Sequence, residues 1–501
     1  MTFAFAGEPA IAPMLFGPPQ VQGMDVSTQN QLDKLVHHWS LKHPRNLMRQ
    51  AYMDAKVLVK NIGIAVSDDM AKDIESVCGW PEKAVYALAN MCMWDGVTSP
   101  DGAENPFEVQ HILDDNRFDV ELPQAIVSSM AKAVVFESVT PGDVASGEPP
   151  VIIMSHSADW ASALWDRRRR AVSAAMLIND ADDLGRPTVL TVLTPTEAVV
   201  CETHGGGWFV SDVRKHGLSR VPVEALPFRP SLERPFGRSR LSRPILSITD
   251  RAIRAALRMD ISSELFTVPG LLLNGITEEQ WEEVSKWKWR IGAVKGLSRD
   301  EQGDVANVNT LPQVAPTPHV EQLRELAAEF AGVASIPLSS LGIVQDNPAS
   351  ADAIYAAKEE LVIEAHNANI VYGYALNRIY QNAIMIRDGL SEMSEELRNL
   401  ATRWRNPAMP SIVSQSDAMV KQISAIPELA ETDVALEEMG YTAEQIMRIR
   451  SQIRRAKASE SMLTRLAQPQ QEAAPGDDEQ KDQSGKPAEK PGDVRPPDDN
   501  A

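Results

Sequence analysis

The sequence predicts an α+β fold, mainly helical, spread over more than one core. Three observations predict it. At 501 residues the chain is too long for a single compact core. Long stretches such as SRPILSITDRAIRAALRMDISSELF repeat their apolar residues at helical spacing. Between residues 107 and 240 the texture changes to short β-branched runs, VVFESV, PPVIIMSH and RPTVLTVL among them, punctuated by Gly and Pro.

Residues 1–29 are rich in Pro and Gly and poorly periodic, and read as a flexible N-terminal arm. From residue 30 to 241 the chain reads as an α+β lobe. Its first part, through LDKLVHHW and RNLMRQAYMDAKVLVKNI, is helical in pattern, and so is 68–95, with breaks around GWPEK. SADWASALWDRRRRAVSAAMLI, Ala-rich and without Gly or Pro, reads as one helix of about five or six turns. RPTVLTVLTPTEAVVCETHGGGWFVSDVRKHG reads as strands and a hairpin with HGGGW at its tip.

Residues 242–266 form a long predicted helix. Ser242 is placed to cap it, and Ile245, Ile248, Ile253, Leu257, Ile261 and Leu265 lie near one face. Segment 267–317 is mixed, with Trp281, Trp287 and Trp289, and a turn at RDEQGDVANVNT. A second helix opens at Thr317 and runs over 318–335. Then comes SIPLSSLGIVQDNPASADAI, a loop with Pro337, Pro348 and Gly342 and no His, Cys or Lys. It leads into ADAIYAAKEELVIEAHNANIVYGYALNRIYQNAIMIRD, a very long helix to about 390, with Gly373 as the expected kink. Shorter helices fill 391–467, including one over 391–404, and Gly440 is placed as a C-terminal stop. Residues 468–501 are acidic, Pro-rich and nearly devoid of aliphatic side chains, which predicts disorder.

Lys and Arg total 49 against 69 Asp and Glu, a net charge of −20. A chain that gripped DNA over its whole surface would be basic, because affinity there comes from counterion release at cations. The cysteines, Cys78, Cys92 and Cys201, are sparse and lack the C-x-x-C spacing of a zinc site or a disulfide frame, which fits a reducing compartment. The start of the chain has no basic n-region, so it reads as no signal peptide, and no apolar run reaches the roughly 20 residues of a membrane span. No P-loop, H-E-x-x-H or G-x-S-x-G is present. NDADDLG, read as a calcium loop from Asp180, places Leu184 fifth and Thr191 twelfth, where a carboxylate is needed. No catalytic residue, metal or cofactor is therefore expected.

Arg167, Arg168, Arg169 and Arg170 form the densest basic run. They read either as a solvated or inter-subunit face or as a DNA or capsid contact. Trp287 and Trp289 share one strand face, as a small packed core or, with Trp281, a protein-docking surface.

The order of these segments resembles the portal proteins of tailed double-stranded DNA bacteriophages, of the siphophage type found in actinobacteriophages. Three blocks carry the resemblance: GVASIPLSSLG with DNPASADAIYAAKEELVIEA, then FGRSRLSRPILSITDRAIRAALRMDISSELFTVPGLLLNG, then TRWRNPAMPSIVSQSDAMVKQI with ALEEMGYTAEQIMRI. It implies a ring of about twelve subunits around a channel. The wing would be 30–241, with 336–390 returning to it. The stem would be 242–266 and 318–335, the clip 267–317, and the crown 391–467. Gly342, Ile343, Val344, Gln345, Asp346 and Asn347 would form the tunnel loop facing passing DNA. Implied partners are copies of the chain, double-stranded DNA, the large terminase, a head–tail adaptor, the major capsid protein and a scaffolding protein, with no membrane. The implied place is the virion's portal vertex, and the host cytoplasm during assembly. The competing readings are an enzymatic packaging component, terminase- or nuclease-like, and a helical scaffold or adaptor that closes no ring.

Overall fold

A computed structural model describes residues 12–57, 76–100, 105–267, 271–274, 307–310, 317–343, 358–408, 412–441 and 443–467. The chain divides into two compact units, Met1–Ala408 and Met409–Ala501.

In the first unit, α1 (Val26–Met53) starts where the Asp25 carboxylate accepts hydrogen bonds from the N–H groups of Ser27 and Thr28. Its inner face, Leu32, Leu35, Val36 and Trp39, packs on a six-stranded sheet. That sheet contains β1 (Val21–Gln22), β5 (Ala161–Asp166), β6 (Ala171–Ala181), β7 (Pro187–Leu193), β8 (Glu197–His204) and β9 (Gly207–Lys215), in the order β1-β9-β8-β7-β6-β5. All pairs are antiparallel except β1 with β9. Gly205 and Gly206, at φ 61° and 84°, make the tight turn between β8 and β9, so HGGGW is a hairpin tip. NDADDLG is the next hairpin: the Asp182 carboxylate accepts from the N–H groups of Leu184 and Arg186.

The helix expected over 157–178 is instead, from Ala161 on, the β5–β6 hairpin, and the reason is burial on both faces. Ala174, Met176 and Ile178 face the core under α1, while Ala175, Leu177, Ala161 and Ala163 face a second core on the other side. A strand covered twice needs an unbroken run of small and apolar residues, which from sequence alone reads like a helix. DRRRR is the turn. The Asp166 carboxylate accepts from the N–H groups of Arg168 and Arg169 at 2.8 and 3.1 Å, and Arg170 adopts φ 51°.

The second core separates this sheet from a three-stranded one, β10 (Val223–Pro227), β3 (Val134–Pro141) and β4 (Val151–Ser157). The far face of that small sheet meets the largest core. There it packs with α2 (Trp80–Ala89), α3 (Val109–Asp115), α4 (Phe118–Lys132), α5 (Arg243–Thr267), α6 (Thr317–Ala334) and α7 (Glu359–Asp388). The break expected at GWPEK is the start of α2, with Pro81 in its first turn. Of the stripe expected on α5, Ile245, Ile248, Ile253 and Ile261 are buried and Leu257 is half-buried.

Glu137 on β3 lies across from Ser155 on β4 and Glu224 on β10, and all three face α7. Ser155 donates to Glu137 Oε1 at 2.8 Å, and Arg378 of α7 donates to Glu224 at 2.8 Å. Burial, only partly offset by Ser155, pushes the Glu137 carboxyl up to about 7. On the opposite face His156 meets the Ser138 hydroxyl at 2.9 Å, and burial pushes this imidazole down to about 4. Asp159, at the β4–β5 turn, pairs with Lys132 Nζ at 2.7 Å and lies 3.5 Å from His43 Nδ1 of α1. Burial raises the Asp159 carboxyl, but hydrogen bonds from His43 and Lys132 outweigh it and hold the group below its usual range.

The segment expected as a helix over 391–404 contains a short helix, α8 (Glu395–Arg398), and then a strand. That strand, β13 (Ala401–Trp404), pairs with β2 (Trp94–Thr98) inside the first unit. Another pair, β11 (Leu271–Asn274) with β12 (Asn307–Thr310), follows α5 in the chain. The second unit contains α9 (Ile412–Ala425), α10 (Asp433–Glu438) and α11 (Ala443–Ala467). Gly440, at φ 89°, stops α10, with the N–H of Tyr441 reaching back to Leu436 O.

Candidate functional site

The loop that drew attention in the sequence is rooted on one buried guanidinium. α6 ends at Ala334 with Ser335 at φ 50°, and the N–H of Ile336 returns to Ala331 O at 3.0 Å. Ile336 is buried, so the chain leaves α6 pinned to the core. A short 3-10 turn, Leu338–Leu341, follows, with Leu338 and Leu341 against the largest core. On the return side α7 begins at Glu359, and Leu361 and Glu364 are buried within its first two turns.

Arg240 ties these points together. It sits just before α5, is 3% exposed, and uses its whole donor fork. Its Nε donates to Ala84 O of α2 at 2.7 Å, and its Nη2 to Ala334 O, the last carbonyl of α6, at 2.6 Å. Its Nη1 pairs with Glu364 Oε2 of α7 at 2.5 Å, while Arg229 Nη2 holds Glu364 Oε1 at 2.7 Å. The segment 335–363 therefore departs and rejoins within the span of one side chain. The start of α5, the end of α6 and the start of α7 are fixed against each other by the same group. Sequence reasoning missed Arg240. The only local signal is a cluster of arginines, Arg238, Arg240 and Arg243, just ahead of an apolar helix.

The position of Arg240 depends on a tight loop from Phe228 to Gly237. Arg238 N–H donates to Phe228 O at 2.7 Å, and Gly237 adopts φ 74°. A Cβ on Gly237 would lie 2.1 Å from Phe228 O and 2.9 Å from Ala133 O. Gly237→Ala is therefore expected to destabilise the first unit by more than about 2 kcal/mol, read as a lower chemical-denaturation midpoint. α5 and α6 are also linked by an exposed pair, Arg251 with Glu329 at 2.7 Å, and α6 packs on α2 through Phe330 under Trp80 with ring centroids 5.4 Å apart.

Of the residues expected to form a tunnel loop, Gly342 ends the 3-10 turn at φ 81° with open space around it, and Ile343 is half-buried. Val344, Gln345, Asp346 and Asn347 lie outside the described residues, as do Trp281, Trp287 and Trp289. Gly373 sits in the middle of α7, where a Cβ would come within 3.3 Å of Trp404 Nε1. Thr402 of β13 caps that approach, donating to Asn377 Oδ1 at 2.8 Å. Glycine there lets β13 lie close against the helix. Arg167–Arg170 form an exposed hairpin tip. Among the described residues no group of His, Cys, Asp and Glu could hold a metal ion, and no helix is long and apolar enough to cross a membrane.

Residues 32–457 match the family model described as phage portal protein, SPP1 Gp6-like. The portal protein of Mycobacterium phage L5 is 25% identical over 428 residues, covering 82% of this chain and 85% of its own length. That of Mycobacterium phage D29 is 24% identical over 419 residues with the same coverage of each chain. A chain in the solved neck of a native GTA particle computed with C12 symmetry is 14% identical. It covers 72% of this chain and 89% of its own at a TM-score of 0.41, a likeness too loose to carry an argument.

Proposed function

The chain belongs to the SPP1 Gp6-like family of phage portal proteins, and from that membership we propose that it works as a ring at one capsid vertex through which double-stranded DNA is packaged and ejected. A ring of about twelve copies is the assembly this reading requires. The observation that carries the DNA role is the loop rooted at Arg240. Two packed helices, α5 and α6, lead to it, and a long buried helix, α7, leads away, so the segment between them has a rigid base.

In this reading α5 and α6 are the stem, 267–317 the clip, the α+β lobe with α7 the wing, and the helices after 409 the crown. The tryptophans Trp281, Trp287 and Trp289 would offer the clip's docking surface to a terminase, and the ring's other contacts would be a head–tail adaptor, the major capsid protein and scaffolding protein. The role is structural and not enzymatic. It places the protein in the virion, after assembly in the host cytoplasm.

The loop Gly342–Asn347 should guide DNA without holding it. Its residues are small, apolar or polar, with one carboxylate, Asp346, and no cation. Strong Lys or Arg contacts to phosphates would act as brakes. The double variant Gln345→Lys, Asn347→Lys is expected to assemble normally and to slow or stall DNA filling in a packaging assay. Filling at the parent rate would remove the loop from the path of DNA.

A further inference from the structure

A strongly basic face, unusual in a chain of net charge −20, lies on the α+β lobe. Three separate elements build it. α1 contributes Lys42, Arg45 and Arg49, on the side that flanks its buried stripe, with Lys42 and Arg45 exposed and Arg49 half-buried. The 228–238 loop contributes exposed Arg234 and Arg238, and the β5–β6 hairpin contributes Arg167–Arg170. These elements adjoin: Trp165 of β5 packs edge-on against Phe236 of the loop, with ring centroids 5.7 Å apart. The charges sense each other across the gaps. Burial chiefly, then Arg45, Arg234 and Arg49, pushes the Lys42 ammonium down, and both Arg238 and Arg167 act on Glu233. Among the described residues, Lys42, Arg45, Arg49, Arg234 and Arg238 have no carboxylate within ion-pair distance. The pairs elsewhere on this face are local, such as Arg169 with Asp166 at 4.0 Å.

Apolar side chains stand exposed among these cations. Leu232, at the tip of the loop, is 93% exposed, and Leu41 and Met48 project from α1 one heptad apart. A phosphate backbone would use the cations and leave the leucines and the methionine in water. A protein surface uses both, since interface cores favour Arg, Met and large apolar groups. A ring that closes by rotation joins two different faces of the same chain, so an acidic chain with one basic face already contains its own electrostatic partner. The α3–α4 elbow carries an excess of carboxylates: Asp114, Asp115 and Asp119 are exposed, with one cation, Arg117, among them, around Val120, itself 55% exposed.

We propose that the α1–hairpin basic face docks a second copy of this chain, meeting the acidic α3–α4 elbow of the next subunit around the ring. The inference rests on the ring reading and adds which surfaces meet. The test uses full-length chain and native mass measurement at near-physiological salt, with thermal melting by circular dichroism to show that each variant folds. The triple variant Arg45→Glu, Arg234→Glu, Arg238→Glu changes only exposed side chains. It is expected to keep its melting temperature and to weaken ring assembly by about tenfold or more. Adding Asp115→Lys and Asp119→Lys to the same chain is expected to restore the ring. The proposal is overturned if the triple variant assembles like the parent, or if it stays dissociated after the elbow is reversed. Unchanged assembly with lost retention on duplex DNA would overturn it in favour of a nucleic-acid surface. A parent chain that forms no ring would overturn the ring reading together with this inference, whereas a ring in both parent and triple variant overturns this inference alone.

Discussion

Arg240→Ala is expected to cost about 3–5 kcal/mol of stability in the first unit, the usual penalty for breaking a buried ion pair from one side. The loss has three parts that act together. Glu364, 9% exposed, would keep a buried carboxylate held only by Arg229, whose own side chain is 57% exposed. Ala334 O, at the end of α6, would lose the guanidinium that satisfies it, and Ala84 O would lose its side-chain donor. Arg240→Lys should recover little, because one ammonium cannot reproduce a planar fork aimed at three acceptors on three helices. Replacing both partners, Arg240→Met with Glu364→Leu, should recover a substantial part, since paired removal leaves no buried charge. Urea denaturation of the four chains checks this. A single Arg240→Ala that unfolds with the parent midpoint would show that the three helices are held by apolar packing alone.

The second large effect concerns pH. Glu137 has its carboxyl raised to about 7 from an ordinary value of 4.5. Its contribution to stability is fully present below pH 4.5 and is lost as pH rises through 7, because the unfolded chain then ionises more readily than the buried site allows. The size is about 3 kcal/mol across that window. His156, lowered to about 4 from 6.5, runs the other way: its contribution is present above pH 6.5 and is lost as pH falls through 4. Between pH 4.5 and 6.5 the two slopes oppose each other within one three-stranded sheet. Glu137→Gln should therefore gain stability relative to the parent as pH rises from 5 to 8, whatever constant offset the amide brings. His156→Gln should gain relative to the parent as pH falls from 7 to 4. Denaturation midpoints of the three chains at each pH test the signs, and parallel curves would show that neither group carries the stated shift.

Much of the helical frame was legible in the sequence because its elements are half-buried. α5 shows its buried Ile245, Ile248, Ile253 and Ile261 as a stripe, and α6 opens at Thr317 as its pattern suggests. The HGGGW hairpin was legible because Gly205 and Gly206 name the turn. The β5–β6 hairpin was not, because a strand enclosed on both faces loses the alternation that marks it and its Ala and Leu favour a helix locally. Arg240 was hidden for a different reason. Arg238 and Arg243 beside it are exposed, and nothing in the string FGRSRLSRP says which of its arginines turns inward. That depends on Gly237, whose left-handed backbone redirects the chain, and on Glu364, more than a hundred residues away.

Because the strands of chain on either side of 335–363 meet at one guanidinium, the insert between them is a cassette with a fixed socket. Between the core-packed ends, Ile336 to Leu341 on one side and Leu361 on the other, the length and composition of 344–357 are free to drift without moving the scaffold, since doubling a loop costs only about 0.6 kcal/mol of closure entropy. Transplanting a longer or shorter insert from a distant relative in place of 344–357, with Ile336, Leu338, Leu341 and Leu361 kept in the core, should leave the host's melting behaviour nearly unaltered.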